Sequence, residues 1–138
     1  MNITSKGRYA LQVMLDLGQH FEDGYISLKT VADRQDISMK YLEGIVGSLK
    51  KAGLLDSSRG KEGGYKLSAA PEDISVGAIL RCIEDKLAPV SCIKSGSVQC
   101  ERAAVCMTIP MWKELDDISN AYLDTVSIRD LLTGDKWK

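Results

Sequence analysis

Apolar side chains recur at intervals of three and four along most of this chain, the spacing of helices that bury one face. Residues 5–21 carry Tyr9, Ala10, Val13, Met14 and Leu17 on one such stripe, which predicts a first helix. Glu22-Asp23-Gly24 reads as a turn and Ile26 as a short strand residue. Ser27 is placed to cap a second helix with Leu28, Val31 and Ala32 inward. Gln35-Asp36-Ile37 then turns the chain into a third, which opens at Ser38 and is expected to bury Tyr41, Leu42, Ile45, Val46 and Leu49. The period changes next. Leu54 to Arg59 and Tyr65 to Leu67 read as two strands closed by Gly60-Lys61-Glu62-Gly63-Gly64, with Tyr65 and Leu67 toward the core. The three glycines suit positive φ and close approach at the tip.

A connector with Pro71 follows, then a helix from the cap Ser75 to about Glu84 with Val76, Ile79, Leu80 and Ile83 apolar and Cys82 as a small core residue. Pro110 opens a long helix to about Asp124, on which Met111, Leu115, Ile118 and Tyr122 recur, with Trp112 beside them. Its apolar face lies beyond a small domain that already has a core, so we expect it to be a dimer arm rather than to pack back. Ser127 starts a last short helix, Ile128 to Leu132, that stops at Gly134. The expected fold is mainly α: a winged helix-turn-helix with a small β-hairpin wing and a long C-terminal dimerisation helix. Residues 1–70 would form the DNA-binding domain, and 71–138 the cysteine loop and dimerisation helices.

Composition narrows the class. With 44% hydrophobic and 27% charged residues in a chain of 138, this is an ordinary globular sequence. Its apolar runs are too short for a membrane span, and no leader pattern opens it, so cytoplasmic residence with reduced thiols is the expectation. The net charge of −1 does not by itself suggest nucleic acid. Its distribution does. Residues 1–67 carry 10 Lys/Arg against 8 Asp/Glu, residues 68–138 carry 8 against 11, and residues 38–67 alone carry 6 against 3. The positive charge sits where a helix and a wing would meet two grooves of a duplex. Few phosphate contacts per chain follow, with help from dimerisation.

On that reading Ser38, Lys40, Tyr41 and Glu43 head the reading helix. Lys6 and Arg8 fall in the first turn of the first helix, where a phosphate could dock or where two bases simply meet solvent. Arg59, with Gly60 beside it, is placed to enter a minor groove. Gly44 and Gly47 lie on the exposed side of the third helix, either to let the backbone approach DNA or as tolerated surface. His20, the one histidine, has no visible nucleophile partner, and no phosphate-binding glycine loop follows a strand, so an enzyme is not expected.

Cys92, Cys100 and Cys106 fall within fifteen residues, in a glycine- and serine-containing stretch with little to pack against. Three thiolates so close could hold an iron–sulfur cluster, could hold zinc with a fourth ligand, or could form a thiol switch without metal. Spacing alone leaves these open.

Several segments together are specific. Thr4-Ser5-Lys6-Gly7-Arg8-Tyr9-Ala10, Ile37-Ser38 through Tyr41-Leu42-Glu43, Ala52-Gly53-Leu54, and Ser58-Arg59-Gly60 with Gly63-Gly64-Tyr65 resemble the Rrf-type winged-helix transcriptional regulators over nearly the whole chain. The three loop cysteines and the long helix resemble those of the family's iron–sulfur-sensing members. The resemblance implies a bacterial homodimer on a double-stranded operator, with crossed long helices and control of cluster-assembly or related genes. It implies DNA contacts at Ser38, Tyr41, Glu43 and Arg59, with Glu43 discriminating between operator classes, as a carboxylate that accepts from cytosine N4 and repels phosphate can. It implies a cluster on Cys92, Cys100 and Cys106, two-iron in preference to four-iron, which purified protein could lack. Other members do without a cluster, so a regulator responding to thiol or cysteine status, or to a protein partner, is the alternative. Three departures stand out: Ile109 where the cluster-sensing pattern has histidine, a longer gap between the first two cysteines, and Lys40 in place of serine. A fourth ligand would then come from elsewhere, such as Glu101, Cys82, His20 or a partner chain, or the site would be open.

Overall fold

The computed structural model describes residues 2–138. Six helices carry it: α1 (Ser5–Gln19), α2 (Leu28–Gln35), α3 (Met39–Lys51), α4 (Val76–Ile83), α5 (Ile109–Thr125) and α6 (Ile128–Thr133). Strands β1 (Leu55–Ser58) and β2 (Gly64–Leu67) pair antiparallel as the wing, in the register Leu55 opposite Leu67. A second two-stranded hairpin, β3 (Ile93–Lys94) and β4 (Ser97–Val98), interrupts the segment between α4 and α5. The expected mainly helical winged architecture is present.

Helix starts are set by hydroxyls, as the sequence indicates. Ser27, Ser38, Ser75 and Ser127 each accept a hydrogen bond from the backbone N–H three residues on. At Ser127 the Asp130 carboxylate returns the contact to form a capping box. Thr4 does the same for α1 by accepting from Gly7. α1 ends at Gln19, two residues before the expected stop, because residues Phe21–Asp23 tighten into a 3₁₀ turn.

The core gathers around α1. Ala10, Val13, Met14 and Leu17 are buried with Leu42, Ile45, Val46 and Leu49 of α3, Leu55 and Leu67 of the wing, Ile79 of α4 and Ile128 of α6. Cys82 is half-buried against this cluster, as expected. Tyr9 and Tyr41 depart from their expected places. Both were expected within buried stripes, and both are exposed. Instead their rings meet edge to face, 5.8 Å apart and at 89°, across the surface between α1 and α3.

Two buried charges also belong to this frame. Asp16, 3% exposed, accepts from Arg34 Nε (3.1 Å) and Nη2 (2.6 Å) and from Gln35 Nε2 (2.9 Å). This pair locks the end of α2 to α1. Directly after it, Asp36 adopts the left-handed conformation (φ 53°) that turns the chain into α3. The second, Glu84, lies at the end of α4.

The wing is extended by Ile26, which bridges Tyr65 through bonds of 2.8 and 2.9 Å, as the expected short strand residue does. Of the three tip glycines, Gly60 alone has positive φ (107°). Gly63 and Gly64 serve close approach instead: a Cβ would overlap the carbonyl of Ser58 or of Ile26.

Arg34→Met would leave Asp16 buried with a single amide donor. We expect it to lower unfolding stability by about 3 kcal/mol, the lower end for a broken buried pair because Arg34 itself is partly solvated. Urea denaturation measures this, and a loss below about 1 kcal/mol would show that apolar packing alone holds α2.

Candidate nucleic-acid interface and cysteine loop

The starts of α1 and α3 come together. A groove of about 400 Å³ is lined by Lys6, Ser38, Lys40, Tyr41 and Gly44. Ser38 Oγ accepts from the Tyr41 N–H at 3.2 Å, which leaves its O–H free to donate. Lys6 is half-buried, whereas Lys40 and Glu43 are exposed. Nothing lies within contact of the missing Cβ atoms of Gly44 and Gly47, which leaves that side of α3 bare backbone. Each glycine costs about 1 kcal/mol against alanine in a helix. Arg8 is exposed and donates to Ser5 Oγ at 3.2 Å, outside the groove lining. Arg59 and Gly60 are exposed on the wing, also outside the groove. Tyr25 carries Lys66 over its ring at 4.7 Å, a cation–π contact that ties β2 to the residue before Ile26.

The cysteine segment has more structure than its composition suggests. Ser95 (φ 52°) and Gly96 (φ 78°) form a two-residue turn with both residues left-handed, the kind that closes tight hairpins. Ile93 opposite Val98 completes the pairing, and Ile93 is buried, contrary to the expectation that this stretch has little to pack against. The Gln99 N–H bonds the Cys92 carbonyl at 2.6 Å. The hairpin therefore absorbs the longer gap and returns Cys100 to the side of Cys92. Their thiols share a hydrogen bond, which pushes the Cys92 thiol up from its ordinary range, and partial desolvation adds to this. Cys106 is the opposite case. The Thr108 hydroxyl, 3.3 Å from its sulfur, and then the Thr108 backbone favour the thiolate and hold it below that range.

Among the described residues, no three Cys, His, Asp or Glu groups are drawn together closely enough to hold a metal ion. The donor chemistry suits a soft metal, with three thiols on one segment, but Ile109 is buried and offers no ligand atom. His20 is engaged with Asp23 at 3.3 Å, and Cys82 donates to the Ile79 carbonyl at 3.1 Å.

α5 is amphipathic in the unusual sense. Met111, Leu115, Ile118 and Tyr122 face out, Ile118 being 60% exposed, while Asp116 faces in with one carboxylate oxygen buried and unpartnered. On the inner side Arg81 of α4 binds Asn120 (3.2 Å) and Asp124. No helix among the described residues is long and apolar enough to cross a membrane.

A capped helix behind a short turn, a glycine-tipped wing and a lysine-rimmed groove define a winged helix-turn-helix DNA-binding regulator. The chain belongs to the Rrf2 family, described as iron-dependent transcriptional regulators, which matches residues 3–134. It is 35% identical to the HTH-type transcriptional regulator IscR of Aliivibrio salmonicida, over 99% of this chain and 80% of that protein. Among solved structures it is similar to T. potens IscR, with TM-score 0.76 and 36% identity over 98% of this chain and 88% of that one. It is also similar to CymR, the global cysteine regulator of B. subtilis, with TM-score 0.76 and 33% identity over 96% of this chain and 97% of that one.

Asp16, Arg34, Gln35 and Glu84 were not singled out from the sequence. Only Asp16 carries a local signal, a charge set between the apolar Leu15 and Leu17. For the thiols, we expect Cys106 of the reduced, metal-free protein to alkylate faster with iodoacetamide near pH 8 than Cys92. Thr108→Val should slow Cys106 several-fold and leave Cys92 unaffected. Peptide mass mapping reads both rates, and equal rates in the native protein would refute the assignment.

Proposed function

We propose that this regulator works as a homodimer that senses iron–sulfur cluster status through Cys92, Cys100 and Cys106 and thereby controls cluster-assembly or related genes. The observation that carries this is the direct attachment of a three-thiol segment to a helix whose apolar face points outward. In this reading residues 1–70 read the operator, and residues 71–138 carry the loop and the pairing helix. Met111, Leu115, Ile118 and Tyr122 would be covered by the same stripe of a second copy, each apolar side chain contributing up to about 1.5–3 kcal/mol on full burial. A two-fold dimer would then set its reading helices one duplex turn apart, roughly 34–36 Å, or a multiple of it.

Lys6 and Arg8 meet phosphates, while Ser38, Lys40, Tyr41 and Glu43 present the head of α3 to the major groove. Arg59 enters the minor groove from the wing, with Gly60 permitting the approach. The three cysteines would hold the cluster, two-iron in preference to four-iron, with the fourth ligand from outside position 109. When bound, the cluster supplies an iron- and oxidant-responsive centre. What the chain contributes is a loop whose geometry differs between filled and empty states. Operator affinity changes only as far as the two states favour different dimer geometries.

A second reading is favoured by Ile109 and by the likeness to CymR: a cluster-free regulator in which the same thiols, or a protein partner, report cysteine status. Anaerobic reconstitution with iron and sulfide, followed by visible absorption and operator titration, separates the two. The first reading expects a chromophore that is lost when Cys92, Cys100 and Cys106 are together replaced by alanine, and two operator affinities. Unchanged affinity after reconstitution, with a response to thiol oxidation, would favour the second.

Two substitutions test the parts common to both readings. Ile118→Glu should convert the dimer to monomer in sedimentation, and a native protein that sediments as monomer would remove the pairing helix from the scheme. Arg59→Ala should weaken operator binding by about 1–3 kcal/mol.

A further inference from the structure

Glu84 stands where α4 ends and the segment toward Cys92 begins. Its backbone leaves the helix there (φ −94°, ψ 126°), yet its N–H still closes on the Leu80 carbonyl at 2.8 Å. Its side chain is 9% exposed and turns to the far end of the sequence. Oε1 accepts from the Thr4 backbone N–H at 2.9 Å and from the Thr4 hydroxyl at 2.7 Å. The Thr4 hydroxyl oxygen in turn accepts from the Gly7 N–H at 3.2 Å. The first turn of α1 contains no acidic residue of its own, so Glu84 supplies the negative charge that the positive end of this helix attracts. Position 7 is matched to it: a Cβ there would overlap Glu84 Oε1.

The turn so held is the one that bears Lys6, Arg8 and Tyr9. Lys6 lines the groove with Ser38, Lys40 and Tyr41, and Tyr9 supports the Tyr41 ring. We propose that Glu84 is a positioning residue for DNA binding: its clasp on Thr4 sets the start of α1 against the head of α3, and through it displacement of residues 85–92 reaches the groove. α4 itself is seated by buried Val76, Ile79 and Leu80. The clasp is therefore the contact that joins α1 to the segment leading to the first loop cysteine, a segment itself packed through Leu87 against the Val76, Leu80 and Val126 cluster. The transmission half of this proposal rests on the sensing loop proposed above, whereas the positioning half does not.

Two measurements separate them. The first uses the reduced, metal-free full chain and compares it with Thr4→Val and Glu84→Gln. Amide exchange at Gly7 to Tyr9 should rise, and operator affinity should fall several-fold, while exchange within α4 stays as in the native protein. Unaltered exchange and affinity in both variants would overturn the positioning role. Gly7→Ala, which pushes on the clasp from the other side, serves if Glu84→Gln fails to fold. The second measurement takes the ratio of operator affinities with the loop reconstituted with iron and sulfide and with it empty. The native ratio should move toward one in Thr4→Val, with the visible spectrum kept. A retained ratio would overturn the transmission. A native ratio of one would overturn transmission together with the sensing loop, and leave the positioning role to be decided by the first measurement.

Discussion

A single buried carboxylate fixes the geometry of the DNA-reading half. Asp16 lies inside the central helix, where an unpaired charge would be costly. It is saturated by a two-pronged guanidinium contact and an amide from adjacent residues, Arg34 and Gln35. These close α2 one residue before the left-handed Asp36 and three before the cap of α3. Apolar contacts among Val13, Leu17, Val31 and Leu42 supply most of the attraction between these helices, but they are non-directional. A bidentate ion pair is directional. It pins the point from which α3 departs, and with it the direction in which Lys40, Tyr41 and Glu43 are presented.

The sequence is most readable where structure is local. Each serine cap lies where the apolar period begins, and Pro110 and Gly134 mark the opening of α5 and the stop of α6, because a cap or a stop needs only residues within one turn. Leu67 in the core and Ile26 on the wing follow from alternation for the same reason. What is missed is non-local or ambiguous by residue type. Thr4 and Glu84 are eighty residues apart, and no period links them. Tyr9 and Tyr41 fit the helical stripe, yet a tyrosine has an apolar body with a polar tip, and these two satisfy each other at the surface. The β3–β4 hairpin is hidden because its turn is Ser-Gly rather than Asn-Gly, with strands of only two residues.

The candidate site divides along the same line. Lys6, Ser38, Lys40 and Tyr41 do converge on one groove, while the three thiols are adjacent in sequence but not gathered as one ligand set. α5 explains part of this. It buries Ile109 and Asp116 and packs Leu123 against the core, while Met111, Leu115, Ile118 and Tyr122 face outward. Arg81 reaches from α4 to Asn120 and Asp124 and adds polar contacts to this packing.

Ile109 bears on how such a protomer could respond to its loop. A histidine at the start of α5 could tie that end of the segment to a metal, so that filling or emptying the site would pull on the helix directly. Isoleucine is instead 8% exposed, and burial of its side chain holds the start of α5. The segment between α4 and α5 is thus anchored at its C-terminal end by apolar packing rather than by a ligand atom, as Leu87 and Ile93 anchor it earlier. Its other end leaves α4 at Glu84, where a carboxylate contact links it to α1. If the state of Cys92, Cys100 and Cys106 alters DNA binding in this chain, that N-terminal contact offers a route to the groove of α1 and α3 beside the one through α5.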